Sequence, residues 1–247
     1  MNRILTEYTF RTDLIEKPLR FAVASDLHSD AFDDVLDEFR RCDAVLVPGD
    51  LVDRHRRDNR NAARFLETVP ETAPVFYSIG NHERKYRFRE EYLAKVAESR
   101  VTLLDNESIF FHGVRIGGLS SSAGAPDLDF LERFERQDGY RLLMCHHPEM
   151  YRDYVSGRNI DLTLCGHAHG GQIQIHGRGL YAPGQGLFPK LTHGLYDEGK
   201  MLVSRGMTNG AKPRIPRINN PCELIILYIE RKESYGPGGS ETAYGLV

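Results

Sequence analysis

Short apolar runs ending in glycine, asparagine, aspartate or histidine punctuate the chain. Phe21–Ala24 leads into Ser25-Asp26, Ala44–Val47 into Pro48-Gly49-Asp50, and Val75–Ile79 into Gly80-Asn81; Leu142–Cys145 leads into His146, and Leu162–Cys165 into Gly166-His167. Continuous apolar runs bounded by turn residues predict strands buried on both faces. Between them, Phe32-Val35-Leu36-Phe39, Ala62-Ala63-Leu66-Val69 and Tyr92-Leu93-Val96-Ala97 carry the i, i+3, i+4 spacing of amphipathic helices. Strands alternating with helices predict an α/β sheet with crossovers.

The pattern then changes. Glu107 to Leu119 predicts a hairpin around His112-Gly113, and residues 172–229 are strand-rich with little helix, so a second, more antiparallel sheet is expected there. Residues 234–247 contain Gly236-Pro237-Gly238-Gly239-Ser240 without periodicity and are expected to form a flexible C-terminal tail behind a single domain over 1–233.

Composition narrows the classes. With 247 residues, 40% hydrophobic and 27% charged, the chain can bury a full core. Its net charge of −3 argues against a protein that coats nucleic acid, so nucleic acid is a possible but not favoured partner. The longest apolar run, Leu224–Ile229, is far below the roughly 20 residues that span a bilayer, so no transmembrane segment is expected. Arg3 and Glu7 interrupt the first ten residues and no signal-peptide pattern is present, which makes a cytoplasmic location the expectation. Cys42, Cys145, Cys165 and Cys222 form no CxxC pair and read as reduced, buried thiols.

Chemistry enters at the ends of the apolar runs: Asp26 with His28, Asp50, Asn81 with His82, His146 with His147, and His167 with His169. The carboxyl ends of strands in an open α/β sheet face the ligand crevice, so these residues are expected to converge. The donor set is larger than one metal requires and suits two divalent cations sharing a carboxylate. Nitrogen and oxygen donors without thiolate favour manganese, iron, zinc, cobalt or nickel over magnesium and calcium. As turn and cap residues alone, these side chains would not account for three separate histidine sites.

The ordered series Asp-x-His, Gly-Asp, Gly-Asn-His, His and Gly-His-x-His resembles the calcineurin-like metallophosphoesterase superfamily across about residues 20–230. Gly166–Ile173 with Leu180–Pro183 and Gly186–Lys190 is similar to its YkuE/YaeI-like phosphodiesterase branch. The resemblance implies a four-layer αββα sandwich of two mixed β-sheets flanked by helices. It implies that Asp26, His28 and His169 hold one ion, that Asn81, His146 and His167 hold the other, and that Asp50 bridges them. It also implies that the neighbouring His82 protonates the leaving group or stabilises the transition-state charge while a metal-bridging hydroxide attacks in line. His146 is preferred over His147 because Cys145-His146-His147-Pro148 aligns with the family's Ser-His-x-Pro-like turn.

The expected activity is a binuclear-metal-dependent phosphoesterase, in the first instance a phosphodiesterase, acting on a small phosphorylated or phosphodiester substrate. A nuclease or a nucleotide or sugar-diphosphate hydrolase is the alternative on the same site, and a catalytically silent metal-binding scaffold is the alternative from another class. Arg84 and Arg87, in the basic stretch after His82, are candidate substrate contacts. Asp53 is either an acceptor for a ligand imidazole or a solvated acid. Ser120–Gly124 replaces an acidic stretch expected from the family, so substrate recognition is expected to differ, and residues 184–195 are a lid candidate by composition. The sequence leaves the oligomeric state open.

Overall fold

The computed structural model describes residues 3–209 and 216–232; the tail expected over 234–247 lies outside the described residues. The first sheet is built from β1 (Ile4–Thr12), β2 (Leu19–Val23), β3 (Ala44–Val47), β4 (Val75–Tyr77), β5 (Thr102–Leu103) and a last strand, Glu223–Arg231. Its order is β1, Glu223–Arg231, β2, β3, β4, β5. The second sheet contains β6 (Glu107–Phe111), β7 (Val114–Leu119), β8 (Tyr140–Cys145), β9 (Leu162–Cys165), Met201–Val203 and Gly194–Tyr196, side by side in that order.

Alternation along each strand divides the core into layers, because successive side chains leave a strand on opposite faces. Ala44 and Leu46 of β3 point into the middle, where they share a buried cluster with Leu142, Met144, Leu162 and Leu164 of the second sheet. Val45 and Val47 point outward and pack with Ala62, Phe65 and Leu66. On the other outer face, Leu143 and Cys145 meet Phe130, Leu131 and Phe134. The helices are α1 (Leu36–Arg40), α2 (Arg60–Thr68), α3 (Asn81–Arg84), α4 (Arg89–Glu98) and α5 (Leu128–Phe134). With α2 and α4 covering the first sheet and α5 the second, the architecture is the expected αββα sandwich. The Phe32–Phe39 spacing yields only a 3₁₀ turn and the short α1.

The second sheet is more antiparallel than the first, as expected, but only at its edges. Its interior pairs, β7–β8, β8–β9 and β9 with Met201–Val203, are all parallel, and only its two edge pairs are antiparallel. The apolar run 224–229 instead enters the first sheet, parallel to β1 and antiparallel to β2. Leu224 and Ile226 face the helices while Ile225, Leu227 and Ile229 face the second sheet, so the run fills an interior position between two partners.

Candidate metal centre

Five strand ends deliver the predicted side chains to one place. Asp26 and His28 follow β2, Asp50 follows β3, Asn81 and His82 open α3 behind β4, His146 follows β8, and His167 and His169 follow β9. Backbone hydrogen bonds join neighbouring loops: the Asp26 N–H donates to Gly49 O (3.2 Å), that of His28 to Asp50 O (3.0 Å), and that of Gly166 to His146 O (3.0 Å). Asp26, His28, Asp50, His167 and His169 all adopt left-handed backbone, with φ between 47° and 66°. L residues reach that region at a cost of about 1–2 kcal/mol each, so the surrounding packing holds these side chains in a strained arrangement. Two glycines let the loops approach: a Cβ at Gly80 would collide with Asp50 Oδ1, and one at Gly166 with Ser25 Oγ and Asp26 Oδ2.

The ligand atoms group into overlapping clusters. Asp26, His28 and His169 form one, Asp50, His146 and His167 another, and His28, Asp50 and His82 a third between them. Asp26 Oδ1 lies 3.7 Å from His28 Nε2 and 3.5 Å from His169 Nε2; Asp50 Oδ2 lies 3.1 Å from His146 Nε2 and 3.9 Å from His28 Nε2. His28 Nε2 and His169 Nε2 face each other at 3.2 Å. The buried atoms His146 Nε2 and Asn81 Oδ1 have no hydrogen-bond partner. Such orphaned polar atoms are costly unless something binds them. Two divalent cations fit this donor set, one at each of the first two groups with Asp50 between.

Carbonyls aim the imidazoles. His146 Nδ1 lies 3.1 Å from Pro48 O and His169 Nδ1 3.3 Å from Thr208 O, contacts that turn each Nε2 toward the centre. Arg217 Nη2 donates to the same Thr208 carbonyl and to Arg205 O (2.7 Å), steadying the prop beneath His169.

Electrostatics sort the titratable groups. Burial pushes the Asp50 carboxyl up, but His146 and His82 outweigh burial and hold it well below the usual carboxylate range. Asp26 is likewise held down, against burial, by His169, His28 and His146. Burial alone would lower His146, yet the charges of Asp50 and Asp26 raise it to about 10. His169 is pushed down to about 3 by burial, against the pull of Asp26. His147, pushed down to about 3 by burial and by His146, groups instead with Glu149 and His167.

His82 sits at the edge of the centre, with Nε2 3.9 Å from Asp50 Oδ2. Its Nδ1 accepts the Arg54 backbone N–H (3.1 Å), an arrangement that assigns the ring proton to Nε2. Asp53 is fully buried with Oδ1 3.5 Å from His82 Nδ1, and accepts the His55 N–H at 2.9 Å. Of the two readings of Asp53, the structure excludes the solvated acid.

Sequence reasoning missed Glu83. Its carboxylate accepts backbone N–H groups from Gly80 (2.8 Å), Asp50 (2.9 Å) and Val52 (3.0 Å), tying the β3 and β4 loops together. A glutamate three residues after a helix-opening glycine was the available signal. His55 has its ring centroid 5.6 Å from that of His82. Arg84 Nε is buried without a partner, but Arg87 is exposed with its guanidinium over the Phe88 ring at 4.5 Å. Beside them, the Lys85 ammonium is pushed down by partial burial, Arg54 and Arg84, against the pull of Asp50. The lid candidate 184–195 begins in a hairpin pairing Tyr181–Ala182 with Gly186–Leu187, and the Gln185 side chain bonds the Lys190 and Leu191 backbone.

A profile of calcineurin-like phosphoesterases matches residues 19–171, a span that contains every candidate ligand. The chain belongs to this family. Relatives of this calcineurin-like chain include an uncharacterized metallophosphoesterase of Helicobacter pylori, 29% identical over 65% of this chain and 47% of the relative. Another is the uncharacterized metallophosphoesterase Cj0846 of Campylobacter jejuni, 29% identical over 89% of this chain and 61% of the relative. The phosphodiesterase YaeI of Escherichia coli is 27% identical over 54% of this chain and 51% of its own length. The chain thus spans about half to three fifths of the length of these curated relatives. Among the described residues, no helix is long and apolar enough to cross a membrane.

Proposed function

We propose that the protein is a binuclear-metal-dependent phosphoesterase acting on phosphodiesters. The observation that carries this reading is the convergence of buried ligand atoms: His28 Nε2 against His169 Nε2 at 3.2 Å, with His146 Nε2 and Asn81 Oδ1 making no hydrogen bond nearby. Asp26, His28 and His169 would hold one ion, Asn81, His146 and His167 the other, and Asp50 both. When bound, two such ions lower the pKa of a shared water and neutralise the phosphate charge that otherwise repels a nucleophile.

The chain's own residues do the rest. His82, with its N–H on Nε2 at the Asp50 side, would donate a hydrogen bond to the charge developing on the departing ester oxygen, and the Arg54 N–H keeps that tautomer in place. Glu83 holds the Asp50 and Gly80 backbones so that the bridging carboxylate keeps its aim. Arg84 and Lys85, on the same α3 end as His82, present positive charge to a phosphate or to a second anionic group of the substrate. Support for the diester comes from the relative named a phosphodiesterase.

The test is hydrolysis of bis(p-nitrophenyl) phosphate and p-nitrophenyl phosphate by protein stripped of metal and refilled with manganese, iron, zinc, cobalt or nickel. The expected result is metal-restored turnover, faster on the diester and abolished in Asp50→Asn. Faster monoester turnover would remove the diester preference, and no turnover with any metal on either ester would sink the reading.

A further inference from the structure

A second surface rises directly from the loop that carries His167 and His169. Two small hairpins follow it: Gln174–Ile175 pairs with Arg178–Gly179, and Tyr181–Ala182 with Gly186–Leu187. They are seated on the ligand loop, since the Leu180 N–H donates to Gly171 O (3.0 Å) and the Phe188 N–H to Leu180 O (2.9 Å). The tips of these hairpins are apolar and uncovered. Ile175 is 56% exposed, and Leu187 at 68% and Phe188 at 75% have the two largest exposures among the large apolar side chains of the described residues. Phe188 and Ile175 line one cleft together with Arg178. Ile218, also exposed, runs beside Ile173. Phe188 is held at φ 54°, so a strained backbone presents a ring that is not repaid by burial in this chain.

Charge says what covers such a surface. The protein as a whole is acidic, with net charge −3, yet residues 162–196 contain no aspartate or glutamate. The exposed Arg178 and Lys190 bracket the apolar tips, and the exposed Lys200 follows after Asp197 and Glu198. Exposed aliphatic and aromatic side chains ringed by cations, on an otherwise acidic molecule, match the interface of an anionic bilayer, where the apolar tips enter the acyl boundary and the cations meet the headgroups.

We infer that the hairpin face of residues 173–190 docks the protein peripherally on an anionic phospholipid surface, placing the metal centre beside the headgroup layer. This goes beyond the esterase reading and stands without it.

The test uses the full chain and vesicles of phosphatidylcholine alone or with phosphatidylglycerol, scored by co-sedimentation. Binding is expected to the phosphatidylglycerol vesicles and to fall with added salt. Leu187→Ser with Phe188→Ser, and separately Arg178→Glu with Lys190→Glu, are each expected to lower the partition coefficient by about tenfold or more. Far-UV circular dichroism and thermal unfolding, unchanged in both variants, show that the fold persists. Absence of binding to either vesicle would overturn the inference, as would equal binding by the wild type and both variants. Salt-sensitive binding of an RNA oligonucleotide without vesicle binding would also overturn it and assign the cations to nucleic acid. Because vesicle binding is read without turnover, its failure leaves the esterase reading standing, and the reverse.

Discussion

The two sheets contribute to the metal centre in different currencies. Loops of the first sheet bring both carboxylates, Asp26 and Asp50, the amide of Asn81 and the imidazoles of His28 and His82, locked by the Glu83 carboxylate and by inter-loop backbone bonds. Loops of the second bring only imidazoles, His146, His167 and His169, two of them aimed by carbonyl oxygens of distant segments. The first side supplies charge, which determines whether a cation enters; the second supplies direction, which determines how well it is held. Losing a carboxylate should therefore remove binding, while losing a prop should loosen it.

The largest effect is expected at Asp50, the carboxylate proposed to be shared. Asp50→Asn should lower kcat/KM by roughly 10³-fold or more, because the ligand between the two groups is lost. Metal uptake tests the same point through protons. The two carboxylates raise the His146 imidazole to about 10, so at neutral pH an arriving ion displaces a proton from it. Calorimetry in two buffers of different ionisation enthalpy should show proton release that fades as pH rises past 10, where the imidazole is already neutral. The D50N variant, lacking the charge that raises His146, should release less.

A smaller loss is expected on the imidazole side. Arg217→Met removes the guanidinium that shares the Thr208 carbonyl with His169, and should weaken metal retention by about 10–100-fold while unfolding stays cooperative. Competition with a chelator measures it; retention equal to wild type would show that His169 needs no such support. Lys85→Ala should raise KM by about tenfold with kcat little changed, the signature of a lost binding charge. The smallest effect belongs to Arg87, which lies over Phe88: Arg87→Ala should alter KM by less than about twofold. If the two effects were reversed, Arg87 and not Lys85 would face the substrate.

The difference between the sheets also explains what the sequence could tell. Buried strands with polar ends announce themselves locally, so Ala44–Val47 before Asp50 or Leu162–Cys165 before His167 can be read without knowing their neighbours. Pairing is not local. The apolar run at 224–229 carries no mark that sends it between β1 and β2, and it was placed with the wrong sheet for that reason. The parallel interior of the second sheet is equally unmarked, because buried runs such as 140–145 and 162–165 read the same whichever way they pair. Within the centre, residue types suited to metals stood out at strand ends, whereas Glu83, Arg217 and the carbonyls of Pro48 and Thr208 act through backbone contacts that only the folded chain creates. Arg84 and Arg87 looked equivalent in a run of cations, and a helical turn directs one inward and the other toward Phe88.

The most direct measurement is the number of manganese ions retained per chain, by elemental analysis after stripping, refilling and desalting, on the wild type and on Asp50→Asn. The account predicts two ions in the wild type and fewer than two in the variant. One ion or none in a folded wild type, or an unchanged count of two in the variant, would contradict a centre built on a carboxylate shared between the two groups.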